Sequence, residues 1–185
     1  MIIYIHGFGS SGEANKANIF REYFKSIDEN LIAPSLSYVP SLAIKTLEEL
    51  ISSYNEDIYL IGSSLGGFYS TYLSLNNKVK RVILINPAVS PNITLKRSLG
   101  NSTNFYDNST YSWNENHLSM LDNYTTKDID TSKFMVLLQM GDETLNYNDA
   151  VVKYKNANII IEEGGNHSFK NIQNHFTNIK DFFEK

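Results

Sequence analysis

Gly62-Ser63-Ser64-Leu65-Gly66-Gly67 places a serine between glycines in a G-x-S-x-G pentapeptide. The apolar run Ile58–Ile61 precedes it directly, and a helical stretch through Leu75 follows. A strand that turns abruptly into a helix lifts a serine Oγ clear of a sheet, and the flanking glycines lack the Cβ atoms that would clash. Ser64 is therefore the candidate nucleophile, with Ser63 at the x position. The start of the following helix also offers unpaired N–H groups and a partial positive end to a developing oxyanion.

A serine hydroxyl is a poor nucleophile near neutral pH, so a base must take its proton and an acid must hold that base in one tautomer. Of the four histidines, His167 is the one placed for this task. It lies in Glu163-Gly164-Gly165-Asn166-His167-Ser168, after the last apolar run and before the last helical stripe. His175 falls within that stripe and reads as surface or partly packed, and His6 reads as structural within its own loop. Asp142, just past the run Phe134–Met140, is the candidate acid; adjacent Glu143 is the alternative, and Asp149 lies further from the strand end. The order Ser64, Asp142, His167 is that of α/β-hydrolases and differs from chymotrypsin-like and subtilisin-like orders. The oxyanion hole requires two backbone donors. Leu65, after the nucleophile, and Phe8, in the turn His6-Gly7-Phe8-Gly9-Ser10-Ser11-Gly12, are the expected pair. That turn lacks both the G-x-G-x-x-G pattern and a P-loop lysine, which argues against nucleotide binding.

These residues need a scaffold that brings strand ends together. Short β-branched and aromatic runs alternate with helical periodicity, the mark of βαβ units and a mostly parallel sheet. The expected strands are Ile2–His6, Leu31–Pro34, Asp57–Gly62, Arg81–Asn86, Phe134–Met140 and Asn158–Glu162. Ile19, Phe20, Tyr23, Phe24 and Ile27 form one helical stripe. Ala43, Leu47, Leu50, Ile51 and Tyr54 form a second, and Ile172, Phe176, Ile179 and Phe183 a third. The predicted architecture is a single α/β domain over 1–185, a three-layer sandwich with about six strands.

One connection is too long and polar for an ordinary loop. Residues 88–131 follow the fourth predicted strand and are expected to form a cap above the carboxyl ends of the strands. Tyr106, Tyr111, Trp113, Leu118 and Tyr124 give the cap an aromatic character. They either pack it down or line an apolar pocket, with Trp113, His117 and Leu118 as the candidate substrate contacts.

Composition narrows the partners. The chain has 185 residues, 42% hydrophobic and 19% charged, as a folded globular protein does. Lys plus Arg is 16 against 20 Asp plus Glu, so the net charge of −4 leaves no basic excess for a nucleic acid or anionic lipid surface. Cysteine is absent, which fits a reducing compartment and removes thiolate chemistry. No positively charged n-region precedes the apolar Met1–Ile5, and no run reaches the roughly 18 apolar residues of a spanning helix. A cytoplasmic protein without membrane partners is expected. No metal or organic cofactor is expected either, since neither His-x-x-x-His nor a carboxylate cluster occurs at ligand spacing.

The sequence resembles the α/β-hydrolases, and within them the small bacterial YqiA-type esterase family. The resemblance is carried by Ile3-Tyr4-Ile5-His6-Gly7-Phe8, the serine pentapeptide, Ile85-Asn86-Pro87-Ala88, Leu137-Leu138-Gln139-Met140-Gly141-Asp142-Glu143 and Glu162-Glu163-Gly164-Gly165-Asn166-His167-Ser168-Phe169. It implies a compact esterase acting on small-molecule acyl esters, with acyl-CoA thioesters also suggested. A hydrolase fold that only binds a small molecule or a protein is the alternative from another class.

Overall fold

A computed structural model describes residues 1–184. In chain order its elements are β1 (Ile2–Ile5), α1 (Asn15–Ser26), β2 (Leu31–Ile32), α2 (Pro40–Ser53), β3 (Ile58–Ser63), α3 (Leu65–Leu73) and β4 (Val79–Ile85). There follow α4 (Pro91–Thr94), β5 (Gly100–Thr103), β6 (Thr110–Trp113), α5 (Glu115–Asp122), β7 (Phe134–Gln139), α6 (Tyr147–Lys153), β8 (Asn158–Glu162) and α7 (Phe176–Phe183). Six strands form one sheet in the order β2-β1-β3-β4-β7-β8, and every pairing in it is parallel.

The near-continuous apolar runs follow from burial on both faces. Side chains alternate along a strand, so each run feeds two cores. Ile3, Ile5, Val82, Leu84, Val136 and Leu138 face α2, α3 and α6. Ile2, Tyr4, Ile83, Ile85, Met135 and Leu137 face α1 and α7. Phe20 and Phe24 from the first predicted stripe are buried under α1, and each such side chain contributes about 1.5–3 kcal/mol by leaving water.

Most strand ends shift by one or two residues, and two differences have a specific physical reason. The second strand stops at Ile32 rather than Pro34: proline has no N–H for the ladder, and from Ser35 the pairing passes to a side chain. The Ser35 Oγ lies 3.0 Å from the Ser11 Oγ and accepts from the Gly12 N–H at 3.1 Å. The third stripe spans two elements, because Ile172–His175 is a 3₁₀ turn that enters α7.

Strand order places the site. β1 leads into α1 on one face, whereas β3 leads into α3 on the other. Above the carboxyl ends of β1 and β3 the chain therefore diverges and leaves a crevice, the usual ligand position in such sheets. The segment between β4 and β7 folds as α4, the antiparallel hairpin β5–β6 and α5. This hairpin has no counterpart in the predicted strands: β5 is polar throughout, and the alternation Thr110-Tyr111-Ser112-Trp113 in β6 is only four residues long.

Candidate active site

Ser64 sits where β3 turns into α3, at φ 54° and ψ −120°. A positive φ at a non-glycine residue costs about 1–3 kcal/mol and persists only where the surroundings enforce it. Here the Ser64 N–H donates to the Ile85 carbonyl at 3.1 Å, and the Ser64 carbonyl accepts from Gly67 at 2.9 Å and Ala88 at 3.0 Å. The glycines answer to close approach. A Cβ on Gly66 would stand 2.0 Å from the Ile5 carbonyl oxygen, and one on Gly62 would stand 2.3 Å from the Ser70 Oγ.

His167, from the loop after β8, brings its Nε2 to 3.0 Å from the Ser64 Oγ, and its Nδ1 lies 2.8 Å from Asp142 Oδ2. A carboxylate can only accept, so Nδ1 carries the proton and Nε2 is free to accept from the serine hydroxyl. The Asp142 side chain is 2% exposed, and its other oxygen accepts from the Thr144 and Leu145 amides, both at 2.8 Å. Burial raises its pKa, but the hydrogen bond from His167 and those two amides outweigh this and hold the carboxyl below the usual range. Adjacent Glu143 has a separate place: its Oε2 accepts from the His167 backbone N–H at 3.0 Å. Asp149 lies in the first turn of α6.

The β1 loop closes the other side. A Cβ on Gly7 would stand 3.1 Å from the Ser64 Cβ, so this loop lies directly against the serine. Neither the Phe8 nor the Leu65 N–H donates to a protein acceptor among the described residues. His6 orders the loop: its Nδ1–H donates to the Gly7 carbonyl at 2.8 Å, and its Nε2 accepts from the Leu36 N–H at 3.0 Å. Burial keeps its pKa below the ordinary imidazole value.

Two side chains without a sequence-assigned role hold the His167 loop. Asn86, just past β4 at φ 40°, donates from Nδ2 to the carbonyls of Asn166 at 3.0 Å and His167 at 3.2 Å. Its Oδ1 accepts from the Gln139 N–H at 3.0 Å. The buried Gln139 accepts from the Asn166 and Lys170 amides at 3.1 and 2.9 Å. It also donates to Glu162 and to the Lys170 carbonyl, at 2.7 and 2.8 Å. The available signal was a polar residue inside a strand whose neighbours are apolar.

Trp113, His117 and Leu118 are buried in the core beneath the hairpin and line neither cleft that reaches Ser64. The His117 ring stacks on Trp113 with centroids 5.0 Å apart. Its Nδ1 accepts from the Asn114 N–H at 3.2 Å, while the Asn114 side chain caps α5. Trp113 acts one step away, meeting the Phe8 ring edge to face at 4.8 Å. His175 is likewise apart, bonded through Nε2 to Glu162 at 2.8 Å.

Two clefts open on Ser64 and His167. One, of about 340 Å³, runs under Leu95, Arg97 and Leu99; the other, of about 450 Å³, runs past Tyr4, Lys16 and Ser63. Phe8, Ser64, Phe105 and His167 line both, so the hairpin residue Phe105 marks their partition. No group of three or more metal-ligating side chains occurs among the described residues, and no helix there is long and apolar enough to cross a membrane.

The fold is shared with solved α/β-hydrolases at low sequence identity. Mouse alpha/beta hydrolase domain-containing protein 10 superposes with TM-score 0.79 at 18% identity, over 99% of this chain and 88% of the other. Est1E from Butyrivibrio proteoclasticus, solved with ferulic acid bound, gives 0.76 at 15%, over 99% and 87%. The Paleococcus ferrophilus monoacylglycerol lipase gives 0.72 at 12%, over 99% and 93%. Among sequences, a UPF0227 protein of Pectobacterium atrosepticum is 27% identical, and YcfP of Escherichia coli O9:H4 is 25% identical, each over 98% of both chains. The model of the family described as "Uncharacterised protein family (UPF0227)" matches residues 1–184. The chain belongs to the UPF0227 family and has the α/β-hydrolase fold that its motifs led one to expect.

Proposed function

We propose that the protein is a serine hydrolase cleaving small acyl esters, with Ser64 as nucleophile, His167 as general base and Asp142 as the residue that orients the imidazole. The observation that carries this reading is the continuous hydrogen-bonded chain from the Ser64 Oγ through both His167 nitrogens to Asp142. The Ser64 Oγ attacks the ester carbonyl carbon while its proton passes to His167 Nε2. The carbonyl oxygen becomes an oxyanion between the unpaired Phe8 and Leu65 amides. Collapse breaks the acyl–alkoxy bond, and the imidazolium returns its proton to the departing alcohol. Water then attacks the acyl-enzyme carbonyl as His167 takes its proton; collapse breaks the bond between the acyl carbon and the Ser64 Oγ, the imidazolium returns the proton to that oxygen, and the carboxylic acid leaves. No cofactor enters this sequence. Two fold neighbours, Est1E with ferulic acid bound and a monoacylglycerol lipase, accord with ester chemistry.

The test is a panel of 4-nitrophenyl esters and acyl-CoA thioesters with wild type and Ser64→Ala. Wild type should release product from the oxygen esters, and Ser64→Ala should lose about four to six orders of magnitude in kcat. Undiminished ester hydrolysis by Ser64→Ala would contradict the assignment. Turnover of thioesters alone would move the substrate to that bond class.

A further inference from the structure

The larger of the two clefts holds a cation that the hydrolytic steps do not use. Lys16 projects from the first turn of α1, and its Nζ donates to the Ser63 Oγ at 2.8 Å, one residue before the nucleophile. An ammonium has three N–H donors, so two remain. Lys16 has no carboxylate within 4.0 Å among the described residues. Asp142, whose charge acts on it, is committed to His167. Glu143, which also lines the cleft, is committed to the His167 amide. Burial pulls the Lys16 pKa down to about 8, with Asp142 opposing this, so the side chain is still a cation at neutral pH, half-buried in the cleft wall with no carboxylate in direct contact.

The backbone adds to that field. Ala14 provides no side-chain cap for α1. The amides of Asn15, Lys16 and Ala17 find no protein acceptor among the described residues. Ala14 and Asn15 line the same cleft as Lys16 and Ser64, so a twelve-residue helix turns its positive end toward the reacting atoms.

Given the esterase reading above, we propose that Lys16 determines specificity by binding an anionic oxygen, carboxylate or phosphate, that the substrate carries close to its scissile ester. The ammonium supplies charge-assisted hydrogen bonds, and an oxyanion there gives it the direct ionic contact that Asp142, bonded to His167, does not. The anion belongs either to the acyl part or to the alcohol part of the substrate.

Two matched ester pairs separate these sources. 4-Nitrophenyl butyrate and 4-nitrophenyl hemisuccinate differ by a charge on the acyl part; phenyl butyrate and 4-carboxyphenyl butyrate differ by one on the alcohol part. Wild type should favour the charged member of one pair in kcat/KM. In Lys16→Met the charged-to-neutral ratio for that pair should fall about ten- to hundredfold, chiefly through KM, and Lys16→Arg should recover part of it. The ratio is taken within one protein, so a reduced folded fraction cancels. An unchanged ratio in Lys16→Met, as expected of a lysine that only balances Asp142, would overturn the proposal, as would wild-type indifference to charge in both pairs. Failure of wild type to cleave any of the four esters would instead strike the esterase reading. The Lys16 assignment is then decided by equilibrium binding of 4-carboxyphenyl butyrate and 4-nitrophenyl hemisuccinate: equal affinity for wild type and Lys16→Met with both would overturn it.

Discussion

At Ser64 the chain accepts a strained backbone because four backbone hydrogen bonds and two close glycine contacts leave it no relaxed alternative. Gly66→Ala should therefore do more than stiffen a turn. Its Cβ would press 2.0 Å from the Ile5 oxygen, and the expected loss is about 1–3 kcal/mol or more in a urea titration, with a matching fall in activity. The two carboxylates at 142 and 143 can also be told apart. Asp142→Asn cannot hold the Nδ1–H tautomer and should lower kcat by about four orders of magnitude. Glu143→Gln keeps an acceptor for the His167 amide and should stay within about tenfold of wild type, which steady-state kinetics on one ester will show. Ser64, His167 and Asp142 were legible in the sequence because each follows a recognisable strand and a local motif. Lys16, Asn86 and Gln139 were not, because their roles come from contacts with Ser63, Asn166 and Lys170, residues distant in the chain. For the aromatic cap the sequence left packing and pocket lining both open: composition cannot tell which rings face a cleft, and Trp113 turns inward onto Phe8.

At the scale of elements, the ends of β4 and β7 act together on the loop that carries His167. Gln139→Leu would strip acceptors from two amides and a donor from the Lys170 carbonyl, each orphaned buried group costing about 1–3 kcal/mol. The expected result is a kcat at least about tenfold lower, with faster amide exchange at Asn166 and Lys170 than elsewhere in the sheet. Intact exchange protection at both positions would count against the clamp. The hairpin makes a second such link. The Phe105 N–H donates to the Gly9 carbonyl at 2.7 Å, and Asn104 Nδ2 donates to the Ser10 carbonyl at 3.3 Å, tying its turn to the loop that presents Phe8. The Phe105 ring itself is 80% exposed, so Phe105→Ala should leave stability within about 0.5 kcal/mol while changing KM as the two clefts merge. Strand and helix types were readable from periodicity because both sheet faces are covered; the hairpin was not, since β5 is polar throughout and the Tyr111/Trp113 alternation of β6 is too short to separate from the surrounding polar segment.

Across the whole molecule, pH couples the site to stability in two separate windows. His6 and His117 both have pKa values lowered by burial. In the unfolded chain they take up protons at about pH 6.5, whereas in the folded chain they resist. Their contribution is thus present above that pH and lost as pH falls through the lower folded-state values. Asp142, also depressed, keeps its contribution until pH drops below the ordinary carboxylate value of about 3.9. Urea midpoints should therefore decline first between about pH 7 and 5, and the decline should be shallower in His6→Gln. A flat profile across that range would contradict the histidine origin. The relay from Ser64 to Asp142 is tested most directly by fluorophosphonate labelling followed by peptide mass spectrometry, comparing wild type with His167→Ala. The expected result is a single adduct on Ser64 in wild type and none in His167→Ala over the same time. Equal labelling of both proteins, or an adduct on any other serine, would contradict an activated Ser64.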